Sequence, residues 1–436
     1  MRLIRLLKKD LAREMADWVA RDLISDSQAE AIGRLYGIDY RQSDSAASGY
    51  RLLTALGYLF IGLALITLIG ANWQDIPRAL RLAGLVTLTL STHGLAIRSW
   101  RHGNTAGASG LFLLGNLFYG ASIILIAQIY HLGEHMPDGV FWWALGSLPF
   151  GVLLLSHWLT LFSCLLALLW FAIETSLGFF PAALPVFIVA GSIVLWKGQQ
   201  STLLFLTVSG SAILWVEALF AVLWADAGLP LQWQPGHVML SVALFILAWA
   251  ASARLHQGSP AARDYGAVLA VWCLRFGLLT LFVLSYEEAW RSLIRADWPY
   301  AMSLWSITIA LLCLALWLAR RTAQAPAVAA LAGFALLSMM AVMASDDLQQ
   351  AVYFQLVYNI VLIGSGIGLI VRGIHHGVSH YFFAGIGTIL LTALLRYIDL
   401  IGEYIGGAAL FMLMAIILLA AARYWQHQQQ HKETAA

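Results

Sequence analysis

The chain has 436 residues, 61% hydrophobic and 11% charged, with a mean hydropathy of +0.78, whereas a soluble domain is roughly a quarter charged. That much apolar surface excludes a water-soluble globular protein, and a net charge of +2 gives no basic footprint for a nucleic-acid partner. Cys164, Cys273 and Cys313 all fall inside apolar stretches, which excludes a disulfide framework or a CxxC metal site.

Residues 1–50 carry charges of both signs and read as a cytoplasmic helical hairpin. Leu3, Leu7, Leu11, Met15 and Trp18 recur near helical spacing. Ser27 and Glu30 make a capping-box pattern for a second helix that carries Ile32 and Leu35 and stops at Gly37. The segment lacks the basic stub and apolar core of a cleavable signal, so the membrane helices are expected to direct insertion.

Residues 51–423 read as the membrane domain. A spanning helix needs about 20 mainly apolar residues, and such segments are expected at 52–70, 79–98, 108–130, 139–156, 158–174, 178–196 and 201–224. They continue at 237–254, 265–286, 300–319, 326–344, 354–372, 380–397 and 406–423, so the fold class is an all-α polytopic bundle of about fourteen spans. A β-barrel would alternate apolar and polar residues, and runs such as Leu59 to Leu68 do not. Tryptophans such as Trp73, Trp100, Trp143 and Trp196 lie near segment ends, where interfacial aromatics belong. Residues 424–436 form a polar, Gln-rich cytoplasmic tail.

Arginine and lysine near segment ends set orientation. With the N-terminus inside, Arg98, Arg101, Lys197, Arg254, Arg263, Arg320, Arg321, Arg372 and Arg423 fall on the cytoplasmic side, against Arg78, Arg81, Arg291, Arg295 and Arg396 outside. Both termini are therefore expected in the cytoplasm of a bacterial inner membrane. Carboxylates such as Asp75, Glu134, Asp138, Glu174, Glu287, Asp346 and Asp399 gather on the outer side.

Trp18, Leu23, Ile24, Ser25, Gln28, Ile32, Tyr36 and Gly37, then Gly57, Gly62, Asn72, Trp73, Ile76 and Arg81, then Gly115, Gly120, Gln128, Ile129, Tyr130 and Leu132 follow one pattern, closing with Arg396, Tyr397, Phe411 and Arg423. In these residues the chain resembles a family of bacterial predicted membrane proteins of unknown function, domain of unknown function family 2157. The resemblance implies an architecture and leaves the activity open.

The candidate binding residues are Asn72, Arg81, Gln128, Glu134, Arg396 and Asp399 at outer helix ends, with Glu217 and Arg275 deeper in their segments. An intramembrane charge costs about 2.5 to 3.5 kcal/mol on insertion scales, so Glu217 and Arg275 should face the bundle interior, and pairing with each other is the simplest arrangement. His131, Leu132, Gly133, Glu134 and His135 match the H-x-x-E-H pattern of inverted zinc peptidases. That pattern straddles an expected helix end, so neither a metal nor a cofactor is expected. No P-loop, GxGxxG or GxSxG motif occurs, which argues against nucleotide-driven pumping by this chain alone.

The leading expectation is a transporter or lipid flippase that binds a small solute or lipid headgroup in an outward-facing polar cavity. Two alternatives stand beside it. One is a membrane enzyme acting on a lipid-linked substrate at the outer face; the other is a sensor or scaffold whose residues 1–50 bind a cytoplasmic protein. The expected surroundings are membrane lipids, with no nucleic acid.

Overall fold

The computed structural model describes residues 8–36, 53–54, 56–64, 67, 77–130, 135, 137–225, 231, 233–298, 300–399, 412 and 416. Among them every regular element is a helix. In the bilayer each backbone N–H and C=O must be satisfied internally, which a helix does within one segment.

The hairpin consists of α1 (Lys8–Ala20) and α2 (Asp26–Tyr36). Its apolar stripe closes on itself: Met15 and Ala29 are fully buried between Leu11, Trp18, Val19, Ile24 and Ile32. A Schellman turn ends α1, with Leu23 N–H donating to Trp18 O at 2.9 Å and Asp22 N–H to Val19 O at 3.0 Å. Asp22 takes the left-handed conformation (φ 56°) that this turn requires. The cap of α2 differs from the expected Ser27–Glu30 box. Ser25 N–H donates to Gln28 Oε1 at 2.9 Å and Gln28 N–H to Ser25 Oγ at 3.3 Å. The Schellman turn releases the chain just before Ser25, so the reciprocal cap forms two residues early and Ser27 already lies in the first turn.

Each of the twelve segments expected between residues 79 and 397 falls on a helix: α3 (Arg78–Arg101), α4 (Thr105–Tyr130), α5 (Pro137–Leu153), α6 (His157–Ser176), α7 (Leu184–Lys197), α8 (Thr202–Leu223), α9 (Gly236–Leu255), α10 (Pro260–Val283), α12 (Ala301–Ala319), α13 (Ala325–Met343), α14 (Ala351–His376) and α15 (Ser379–Asp399). The segments 52–70 and 406–423 lie largely outside the described residues. Among the described residues nine helices are long and apolar enough to cross a membrane. Two boundaries moved. The segment expected at 178–196 becomes helical only at Leu184, because Pro181 lies in the preceding loop and Pro185 fits only the first helical turn. Between α10 and α12 a short helix, α11 (Glu287–Arg295), replaces the expected loop.

The chain divides into two compact units, one of Lys8–His237 and one containing Val238–Ala436. In the first, sequence-adjacent helices pack as close pairs through small residues. Gly151 on α5 lies so near α6 that an added Cβ would stand 2.7 Å from Thr160 N. Ser163 Oγ on α6 donates to Ala144 O at 2.6 Å, and Trp143 Nε1 to Asn116 O of α4 at 2.8 Å. Leu148, Trp170, Phe171, Leu184, Phe187, Leu204 and Val208 fill the core of α5 to α8. Since α5 to α8 run alternately up and down, the start of α5, the end of α6, the start of α7 and the end of α8 meet at one end of this unit.

In the second unit, Ala243, Ala250, Leu312, Ala315, Ala319, Val328 and Ala332 knit α9, α12 and α13 together. Helix α11 buries Trp290 completely: its ring stacks on Phe354 at 4.8 Å and its Nε1 donates to Leu284 O at 2.6 Å. The Glu287–Arg291 pair at 2.6 Å flanks this buried face and is half-buried. Helices α14 and α15 touch backbone to backbone at Gly366, Gly373 and Gly385.

Candidate functional site

The polar groups at the shared end of α5 to α8 form two His–Glu pairs in the Lys8–His237 unit. Glu174, on the last turn of α6, is buried, and its Oε2 accepts a 2.7 Å hydrogen bond from His135 Nε2. His135 precedes α5, and Asp138 in the first turn of α5 stands beside it. One ligand atom from each of His135, Asp138 and Glu174 lies within 4.8 Å of the others. Phe179, in the loop that Pro181 keeps out of α7, presents its ring to the His135 imidazole at 4.8 Å.

The second pair is deeper. Glu217, near the end of α8, and His237, the second residue of α9, are 6% and 8% exposed. His237 Nδ1 donates to Glu217 Oε2 at 2.7 Å. In a neutral imidazole that donates through Nδ1, Nε2 is an acceptor. Nε2 is buried and has no hydrogen-bond partner among the described residues. Trp224 and Trp233 wall the imidazole at 5.2 and 5.1 Å. Gln234 Nε2 ties this corner to Trp224 O at 2.9 Å. The two pairs are linked through their loops: Leu231 N–H donates to Gly178 O at 3.0 Å, and Phe180 lies 5.9 Å from Trp215. Gly178, at φ 84°, makes the bend that exposes its carbonyl.

The sequence-derived candidates distribute over both units. Asn72 and Glu134 lie outside the described residues, as does the side chain of Asp399 at the end of α15. Arg81 is half-buried on the first turn of α3, and Gln128 is exposed near the end of α4. Glu217 has His237 as a partner, and the expected Glu217–Arg275 pairing joins residues of different units. Arg275 is exposed on α10 with its guanidinium 5.3 Å from the Trp272 ring. Arg396, half-buried, does organise a cluster: its Nη2 donates to Ser285 O at 2.9 Å and Ser285 Oγ at 3.1 Å, over the Tyr286 ring at 4.4 Å. Asn359 Nδ2 donates to the same Ser285 carbonyl at 3.0 Å. Ser285 lies ten residues beyond Arg275, about 15 Å at the helical rise, so Arg275 and Arg396 serve different places.

Sequence pattern alone does not mark His237, Ser285 and Asn359. A signal existed for the first: Glu217 lies in the outer half of one apolar segment and the next begins with Gly236-His237, so a one-loop return brings acid and imidazole to the same end of neighbouring helices. A lone histidine at a helix start does not otherwise stand out.

No curated protein and no solved structure matches the chain. A family model does match, from the last residues of α1 through α2 and α3 to α5 into the first residues of α6, and it stops short of Glu174, Glu217 and His237. With its long apolar helices the chain is an integral membrane protein, and its residues 16–160 match the model of the family described as predicted membrane protein, DUF2157.

Proposed function

We propose that the chain is a transporter or flippase of a bacterial inner membrane, with both termini cytoplasmic, that moves a small polar solute or a lipid headgroup. The observation that carries this reading is the Glu217–His237 pair. A carboxylate and an imidazole buried together in an apolar bundle are costly to keep, and in membrane proteins such groups mark ion, proton or solute pathways. His237 Nε2, turned away from Glu217 and buried without a hydrogen-bond partner among the described residues, is the atom where a transported proton would be held. That nitrogen is also the acceptor that a solute hydroxyl or ammonium would use. The arginine distribution puts this end of the unit on the outer side, the same side as Glu174 and His135. Arg81 and Gln128 in the same unit, and Arg396 with Ser285 in the other, are the further residues proposed to contact polar ligand groups.

The test is flux. Purified protein in proteoliposomes containing a pH-sensitive dye and headgroup-labelled lipids should move protons or headgroups faster than empty vesicles, and Glu217→Gln should abolish the difference. A folded, monodisperse protein that moves neither lipids nor protons, with or without a panel of small polar solutes, would contradict the proposal.

A further inference from the structure

We infer that His135, Asp138 and Glu174 form a binding site for a divalent transition-metal ion of the zinc class. The inference revises the sequence-based expectation of no metal, and it does not rest on the transport reading.

The three groups come from separate places: two residues before α5, the first turn of α5 and the last turn of α6. They offer one imidazole nitrogen and two carboxylate oxygens within 4.8 Å of one another. Around an ion with bonds of about 2.0 to 2.2 Å, neighbouring ligand atoms stand roughly 3 to 3.5 Å apart, so small rotamer changes close the site. Two features separate it from a chance gathering of surface acids. Glu174 is 8% exposed, a carboxylate held where water alone would solvate it poorly. Its hydrogen bond from His135 Nε2 at 2.7 Å turns the imidazole nitrogen and the carboxylate toward each other. A cation entering there takes the place of the proton the pair shares.

The donor set selects the ion. Calcium and magnesium prefer all-oxygen shells, whereas an imidazole with carboxylates suits zinc, manganese, iron or nickel. Three protein ligands with Asp138 on the exposed side leave room for water or substrate at a further position, the form of a working rather than a closed structural site. Phe179 at 4.8 Å fixes the plane of the His135 ring from the loop before α7, so occupancy would be felt by that loop.

The experiment uses the full chain in detergent, stripped with a chelator and titrated with zinc, and with cobalt(II) as a spectroscopic probe. The expected result is one ion per chain, with cobalt absorption of a low-symmetry nitrogen–oxygen site. Asp138→Asn, a change at the exposed ligand, and Glu174→Gln should each weaken binding at least tenfold, while Glu288→Gln on α11 should leave it unchanged. If Glu174→Gln does not fold, Asp138→Asn decides. No stoichiometric ion in the folded wild type, or binding indifferent to the ligand substitutions, overturns the site.

Discussion

Removing either member of the Glu217–His237 pair should destabilise the Lys8–His237 unit more than removing both suggests. The bond is 2.7 Å long and both residues are more than nine-tenths buried, so water neither competes for it nor replaces it. A hydrogen bond to a charged group contributes about 1.5 to 3 kcal/mol, and stranding one partner of a buried pair costs about 3 to 5 kcal/mol. Glu217→Ala leaves a second unpartnered nitrogen between Trp224 and Trp233, and His237→Ala takes the imidazole away from a buried carboxylate. Either should cost about 3 kcal/mol, which for a cooperative unit of roughly 150 to 250 residues lowers Tm by about 6 to 12 °C. In the double variant the stranded group is gone, so its loss should fall short of the sum by at least about 1.5 kcal/mol. The assay is tryptophan-fluorescence melting in detergent, with Trp224 and Trp233 as local reporters. Additive losses would refute direct coupling, and single losses within about 0.5 kcal/mol of zero, the range of ordinary surface changes, would refute the burial argument itself.

Three more outcomes are expected. Gly385→Leu should part α14 from α15, because even a Cβ there would stand 2.5 Å from Gly366 O; melting should show a loss of at least about 1 to 3 kcal/mol, and an unchanged Tm would contradict the close contact. Trp290→Ala should cost about 3 to 5 kcal/mol through the void left on Phe354 and Tyr358, whereas Trp290→Phe should lose mainly the Leu284 hydrogen bond, about 1 kcal/mol, both read by the same melt. Reporter fusions after Gln350 and after Arg423 should sit in the periplasm and the cytoplasm respectively; a periplasmic C-terminus would reverse the topology.

How much of this could be read in advance follows from the length scale of each signal. The membrane helices were legible because 20 apolar residues in a row have few other uses, and the hairpin because Met15, Trp18 and Ile32 keep a helical period. The cap was misplaced by two residues because Ser25–Gln28 and Ser27–Glu30 are both capping-box patterns, and only the Schellman turn at Asp22 chooses between them. The start of α7 was missed because Phe179 and Phe180 extend the apolar run while the prolines break the helix. Helix α11 is nine residues long and highly charged; it is stabilised by Trp290 entering a pocket made by α14, a contact that local sequence does not encode. The site was legible only in halves. Glu217 stood out as an acid inside an apolar segment, but His237 is 20 residues away and His135 is 39 residues from Glu174, so both partnerships depend on how the loops return.

The most direct test of the transport reading is whether the Glu217–His237 position is reached by water from both sides of the membrane. With Cys164, Cys273 and Cys313 replaced, Ala221→Cys, one helical turn from Glu217 on α8, would be exposed to a small membrane-impermeant thiol reagent in intact cells and, separately, in inverted vesicles. A transporter that alternates between outward and inward openings predicts labelling from both faces over minutes, slowed from both by a bound solute. Labelling from the outer face alone, or from neither, would contradict transport through this site.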